Sequence, residues 1–180
     1  MAIRPVLRMG HPVLRQVAAP VERFGTAELR ELVRDMDDTM RALDGAGIAA
    51  PQVGVSLRVV IFEVASNPRY PQAEAVPYTV LVNPELELIG TEQDDGWEGC
   101  LSVPDMRGVV SRHTAVRLEC YDREANPVSL VAKDFFARVI QHETDHLNGI
   151  VYVDRMRDLR TLSHIAEWNK HWLGIREQND

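Results

Sequence analysis

The segment DFFARVIQHETDHLNG, residues 134–149, constrains the fold of this chain more than any other stretch. Its apolar residues recur at helical spacing, and a glutamate and a histidine continue the same stripe, which consists of Phe136, Val139, Ile140, Glu143, His146 and Leu147. A buried carboxylate needs a cation, a hydrogen-bond network or a shifted pKa, because burying an unpaired charge is costly. Asn148-Gly149 is typical of a helix end. We therefore expect a central helix whose polar groups face a partner inside the protein.

The remaining patterns predict an α+β fold of short, mostly antiparallel strands around this helix. Helical spacing predicts an N-terminal helix over 27–43, with Thr26 as its N-cap, and a C-terminal helix over about 158–173. Strands are predicted at 58–64, 76–84, 85–89, 115–122 and 127–132, with a break at Asn83-Pro84. Helices and strands do not alternate as βαβ units, which disfavours a doubly wound sheet. No linker divides the chain, so we expect one catalytic domain over 1–180.

Charge and cysteine content exclude several classes of protein. The formal net charge of -7 argues against general binding to nucleic acids or anionic membranes. Two cysteines among 180 residues are too few for a disulfide scaffold. The N-terminus lacks the uninterrupted apolar run of a signal peptide, and no apolar run reaches transmembrane length. We expect a cytoplasmic protein, in the bacterial cytosol or an organelle matrix.

Within the central helix, His142, Glu143 and His146 form the pattern H-E-x-x-H. Histidines four residues apart project from the same side of a helix, where one metal ion can bridge them. A catalytic site commonly adds a third protein ligand and leaves one position open for water. The sequence must therefore supply another ligand.

The sequence leaves two candidates for the third ligand, Glu167 and Cys100, after one class of metalloprotease is ruled out. One class of metalloprotease extends the motif to a final histidine, but this chain has Tyr152 there. A second class takes a glutamate from a later helix, where Glu167 lies, although the apolar pattern around it indicates a packed helix. Cys100, in WEGCLSVP, would complete a thiolate and two imidazoles, a set that suits zinc, ferrous iron or cobalt.

Three segments together resemble one family, the peptide deformylases. They are GAGIAAPQ at 45–52, EGCLS at 98–102 and QHETDHLNG at 141–149, in the family's order. The resemblance implies removal of the formyl group from N-formyl-methionyl nascent polypeptides, with release of formate. It also implies one divalent metal ion, natively Fe2+, held by Cys100, His142 and His146; Zn2+, Ni2+ or Co2+ can replace it in preparations. Transient contact with the ribosome is implied as well.

The same resemblance assigns roles to residues around the metal. Water on the metal would attack the formyl carbon with Glu143 as general acid/base. Gln52 and the backbone N–H of Leu101 would bind the formyl oxygen, where negative charge develops.

Four further residues are predicted to bind the substrate. Gly47 would offer its carbonyl to the substrate amide, and Gly45 and Gly47 let the backbone approach a peptide added as a strand. Val139 would form a wall for the methionine side chain. We place Glu98 with the substrate-binding residues and also expect it to pair with Arg112 behind the Cys100 loop.

Two other functions remain open from the sequence. One is an H-E-x-x-H metallopeptidase that uses Glu167 in place of Cys100. The other is a catalytically silent metal-binding or ribosome-associated protein, which could dispense with Glu143 and Gln52.

Overall fold

The computed structural model describes residues 2–64 and 75–173, which form three helices and eight strands. The helices are α1, Ala27–Ala42; α2, Asp134–Leu147; and α3, Ile165–His171. The strands are β1, Gly47–Ala49; β2, Val59–Val64; β3, Val76–Leu88; β4, Gln93–Cys100; β5, Val103–His113; β6, Ala115–Tyr121; β7, Pro127–Lys133; and β8, Ser163–His164. The predicted α+β class is confirmed.

Two antiparallel sheets surround the helix that carries the H-E-x-x-H pattern. The larger sheet has the order β1-β2-β3-β6-β7, and the smaller has the order β4-β5-β8. Helix α2 contacts β1, β2 and β7 of the larger sheet and β5 of the smaller one. The prediction of a central helix is therefore confirmed, and α2 joins the two sheets.

The larger sheet separates two apolar clusters because successive side chains of a strand point to opposite faces. On β2, Val60 and Phe62 pack with Ile140 of α2. Val59 and Ile61 lie in the other cluster, which contains the apolar face of α1. Thr26 caps α1 by accepting a hydrogen bond from the Leu29 N–H at 3.2 Å, as the sequence predicts.

The break predicted at Asn83-Pro84 is wrong, because one strand, β3, runs through it. A bulge between Val82 and Glu85 accommodates the proline, which has no N–H to donate to the ladder. Asn83 adopts a φ of 53°. Its amide accepts from the Val21 N–H at 2.8 Å and donates to the Val21 carbonyl at 2.9 Å, which holds the bulge in place.

The predicted C-terminal helix is present, but its predicted bounds of 158–173 are too wide. A 3₁₀ turn occupies Leu159–Thr161, Ser163–His164 pairs with β5, and only Ile165–His171 is helical. The apolar spacing that predicted a helix instead serves two elements: Leu162 packs with Val110 and Tyr152, while Trp168 is buried from α3. None of the helices among the described residues is long and apolar enough to cross a membrane.

Candidate metal centre

Helix α2 and strand β4 bring the three predicted ligands together. Cys100 is the last residue of β4, while His142 and His146 lie one turn apart on the buried face of α2. One donor atom from each lies within 4.8 Å of the other two, and the Cys100 Sγ is 3.3 Å from His146 Nε2. Among the described residues this is the group whose geometry can hold a metal ion.

The electrostatics of this group favour a cation. Burial would raise the pKa of Cys100, but His146 and His142 lower it well below its usual value, so the thiolate is favoured. Burial would lower the pKa of His142, but its hydrogen bonds to Cys100 and Glu98 raise it well above its usual value. Two anionic groups, Cys100 and Glu98, therefore contact this histidine. A thiolate and two imidazoles suit Zn2+, Fe2+ or Co2+ with one position left open, so the residues fit a catalytic metal.

Glu98 supports His142 from behind. Its Oε2 is 2.8 Å from His142 Nδ1, which places the proton on Nδ1 and leaves Nε2 for the metal side. Arg112 binds both carboxylate oxygens at 3.0 Å, and Arg138 Nη1 donates to Oε1 at 2.9 Å. Burial would raise the pKa of Glu98, but His142 and Arg112 lower it far below its usual value. The expected pair with Arg112 is present.

The assignment of Glu98 to substrate binding is not what this geometry favours. Its side chain is 4% exposed, and its two oxygens are occupied by two arginines and His142. Although Glu98 borders the pocket, it has no oxygen left over for a peptide. We assign it a supporting role behind His142.

Asp145, whose role the sequence left open between orienting a ligand and lying exposed, and Arg138, which the sequence did not identify, belong to the same network. Asp145 accepts from Arg112 Nη1 at 2.5 Å and from Arg155 Nη2 at 2.7 Å, so it holds the far side of Arg112. Arg138 lies one helical turn before His142, and that spacing was the available signal. Its partners come from distant parts of the chain, so the spacing alone could not assign its role.

Glu143 lies in the pocket with a free carboxylate oxygen. The residue is 5% exposed, and within residues 2–64 and 75–173 its Oε2 has no hydrogen-bond partner. Burial raises the pKa of Glu143 to about 7. Gly47 of β1 lies directly against it, since a Cβ at Gly47 would be 2.4 Å from Oε1. The carboxylate is thus buried beside the metal centre at a pKa suited to taking and returning a proton at neutral pH.

Gln52 presents its amide nitrogen to the cysteine. Its Oε1 accepts from the Ala49 N–H at 2.8 Å, which fixes the orientation of the amide. Its Nε2 lies 3.1 Å from Ser102 Oγ and 3.4 Å from Cys100 Sγ. A donor is therefore aimed at the space beside the sulfur.

A cavity of about 520 Å³ opens beside these residues. All the predicted site residues except His146 line it, including Gly45, Leu101 and Val139. A cavity of this size can take the first residues of a peptide.

Tyr152, at the position where one class of metalloprotease has its third histidine, and Glu167, the alternative third ligand, are not part of the donor group. Tyr152 is 1% exposed, and its ring stacks on His142 with the centroids 6.3 Å apart and 20° between the planes. Glu167 sits on α3 with 63% of its side chain exposed and pairs with His171 at 3.3 Å. Neither belongs to the group that can hold a metal.

Comparison with known proteins gives consistent matches. Residues 3–161 match the family model described as polypeptide deformylase. Peptide deformylase 1 of Nitrosomonas europaea is 54% identical over 162 residues, which cover 90% of this chain and 92% of that protein. Peptide deformylase 2 of Ralstonia nicotianae is 55% identical, over 87% of this chain and 88% of that one. The crystal structure of the class I type b peptide deformylase of Acinetobacter baumannii with Met-Ala-Ser bound superposes with a TM-score of 0.84, at 43% identity, over 86% of this chain and 99% of that one.

Proposed function

The chain belongs to the peptide deformylase family, hydrolases that act on formyl-methionine peptides, and we propose that it deformylates nascent polypeptides with one divalent metal ion held by Cys100, His142 and His146. The observation that carries the metal dependence is the convergence of one sulfur and two imidazole donors within 4.8 Å. Natively we propose Fe2+, with Zn2+, Ni2+ or Co2+ accepted by the same donors. When bound, such an ion acts as a Lewis acid that polarises a carbonyl oxygen and makes water more acidic.

Glu143 moves the proton in the proposed reaction. Its free Oε2 takes a proton from the water that attacks the formyl carbon, and later returns it to the amide nitrogen. The carbon–nitrogen bond then breaks, which releases formate and the peptide's amino group. The pKa of about 7 lets Glu143 do both at neutral pH.

Gln52 and Leu101 stabilise the oxygen on which negative charge develops. The Gln52 amide is already oriented by Ala49 and Ser102, and the hydrogen that contacts the Cys100 sulfur is the one proposed to turn to the oxygen. The Leu101 N–H, in the turn between β4 and β5, is proposed as the second donor. One donor of this kind typically lowers the barrier by about 3 kcal/mol.

The substrate peptide is proposed to lie along β1. That strand is at one end of the larger sheet, and Gly45 and Gly47 border the cavity, so a peptide can be added as a strand there. Val139 would then contact the methionine side chain. The Acinetobacter baumannii protein has been crystallised with Met-Ala-Ser, a peptide that begins with methionine, which supports a methionine-first peptide as the ligand.

Other aspects of the biology remain predictions. They are contact with the ribosome, location in the cytosol, and one catalytic domain over 1–180. The family match ends at residue 161, before α3, so the match does not bear on a role of that helix in docking.

The direct test is formate release from formyl-Met-Ala-Ser by protein loaded anaerobically with Fe2+. We expect Cys100→Ala to lose both metal and activity, and Glu167→Gln to keep both. The reverse pattern would favour the metallopeptidase arrangement. If the loaded protein released no formate, the silent metal-binding alternative would be correct.

A further inference from the structure

Arg138 connects the helix that carries both histidines to the two strands of the smaller sheet. Its Nη1 donates to Glu98 Oε1 at 2.9 Å and to the Val110 carbonyl of β5 at 2.8 Å. Its Nη2 donates to the Asp94 carbonyl of β4 at 2.7 Å and approaches Asp94 Oδ2 at 3.3 Å. The side chain is 9% exposed. One buried guanidinium therefore fastens α2 to the backbone of both strands.

The position of this contact matters because the ligands come from separate elements. Cys100 ends β4, whereas His142 lies on α2, one turn beyond Arg138. The separation of helix and strand thus sets the distance between the sulfur and the imidazoles. Arg138 spans that separation, and by donating to Glu98 it also holds the carboxylate that orients His142.

Gly96 is shaped to receive Arg138. A Cβ at this position would lie 2.7 Å from Arg138 Cζ, 2.9 Å from Nη2 and 3.0 Å from Nε. These contacts are too short for a real side chain, so the guanidinium rests directly on the backbone of β4. Gly96 does not adopt a positive φ. An added methyl group would therefore displace the guanidinium from its hydrogen bonds, so glycine is favoured here by the close approach of the arginine and not by the backbone conformation.

The charges of the network also depend on Arg138. Glu98 and Asp145 are buried with Arg112 and Arg138, two carboxylates against two guanidiniums. Arg155, which is about half exposed, also pairs with Asp145, so removing Arg138 takes compensating charge chiefly from Glu98, beside His142. Truncating one side chain of a buried set of charges strongly destabilises the folded protein, because the charges that remain are no longer neutralised.

We propose that Arg138 is a positioning residue of the metal centre, which holds α2 against β4 at the separation that lets Cys100 and the two histidines share one ion, with Gly96 as its complementary partner. This role rests on the proposed function, because it requires that the centre binds a metal.

The test compares Zn2+ affinity and the Co2+ absorption spectrum in four variants: Arg138→Met, Gly96→Ala, the two combined, and Arg4→Met. The first two changes each displace or remove the guanidinium, and we expect each to weaken Zn2+ binding by about 10- to 100-fold and to shift the Co2+ bands. The combined variant should bind no more weakly than Arg138→Met alone, because the shortened side chain leaves room for the added methyl group.

Arg4→Met is the matched control. Arg4 donates twice to Asp35, at 2.9 and 2.8 Å, and Asp35 is as buried as the acids of the metal centre. Its loss should lower the melting temperature without changing Zn2+ affinity or the Co2+ spectrum.

Zn2+ affinity within about threefold of the unaltered protein in Arg138→Met, with unchanged Co2+ bands, would overturn the positioning role even if the variant were less stable. If Arg138→Met does not fold, Gly96→Ala, which retains the arginine, decides in the same way. Strictly additive losses in the combined variant would overturn the partnership with Gly96. If the unaltered protein bound neither metal, the proposed function and this role would both fail.

Discussion

Replacing Gly47 by alanine should disable Glu143 without removing the metal. The added Cβ would lie 2.4 Å from Glu143 Oε1 and 2.7 Å from Cδ, whereas ordinary contacts begin at 3.4 Å. The carboxylate must therefore move by about 1 Å, the difference between 3.4 and 2.4 Å. Glu143 is 5% exposed and cannot move into solvent without disturbing the pocket.

A catalytic group misplaced by about 1 Å can cost on the order of 100-fold in rate. Two factors of ten correspond to about 2.7 kcal/mol of barrier. We therefore expect the kcat of Gly47→Ala to fall about 100-fold, while the metal content stays the same because the three atoms nearest to the new methyl group all belong to Glu143.

The assay is the initial rate of formate release from formyl-Met-Ala-Ser, with the metal measured on the same sample. Glu143→Gln and the combined variant complete the design. If alanine acts through Glu143, adding Gly47→Ala to Glu143→Gln should cost little more. A Gly47→Ala protein that kept kcat within about threefold at full metal content would refute the reasoning.

Three further outcomes are expected. At pH 8, iodoacetamide should alkylate Cys100 in metal-stripped protein and spare Cys120, because burial raises the pKa of Cys120 to about 11. Added Zn2+ should protect Cys100 from the reagent. Equal labelling of both thiols, measured by mass spectrometry, would contradict this prediction. Gln52→Leu should lower kcat about 100- to 1,000-fold at unchanged metal content, and a loss under about tenfold would exclude Gln52 as an oxyanion donor. Glu98→Gln should weaken Zn2+ binding about 10- to 100-fold in a competition titration, because His142 loses a charged acceptor; unchanged affinity would leave Glu98 without a role at the metal.

The spacing of apolar residues along the sequence predicted the helices and strands that pack through regularly spaced apolar side chains. The stripe of α2 and the alternation of β6 were legible because the buried residues are apolar and regularly spaced. Strands β4 and β5 were not predicted. In β4 the buried positions are Gly96 and Glu98, which carry no apolar signal and are buried only because arginines from other elements cover them.

The predicted length of the C-terminal helix was wrong for a related reason. Leu162 and Trp168 occur at helical spacing, yet they pack as parts of different elements, and Ser163–His164 is drawn into an edge pairing with β5. Local spacing cannot distinguish these cases, because the pairing partner is more than fifty residues away along the chain.

The residues of the candidate site also fall into those that local sequence predicts and those that it does not. His142, Glu143 and His146 could be predicted because one helix fixes their relative positions, and Cys100 followed from the family resemblance. Arg138 could not be predicted, since its four contacts are with residues 28 to 44 positions away.

The central claim is that activity depends on one metal ion held by Cys100, His142 and His146. The most direct measurement is to strip the protein with a chelator, add Fe2+ back anaerobically in steps, and follow formate release from formyl-Met-Ala-Ser. The account predicts that stripping abolishes the activity and that it returns in proportion to added Fe2+, reaching its maximum at about one equivalent per chain. Either of two results would contradict this account. The stripped protein could retain full activity, or protein with an unmodified Cys100 could bind the metal again without recovering activity.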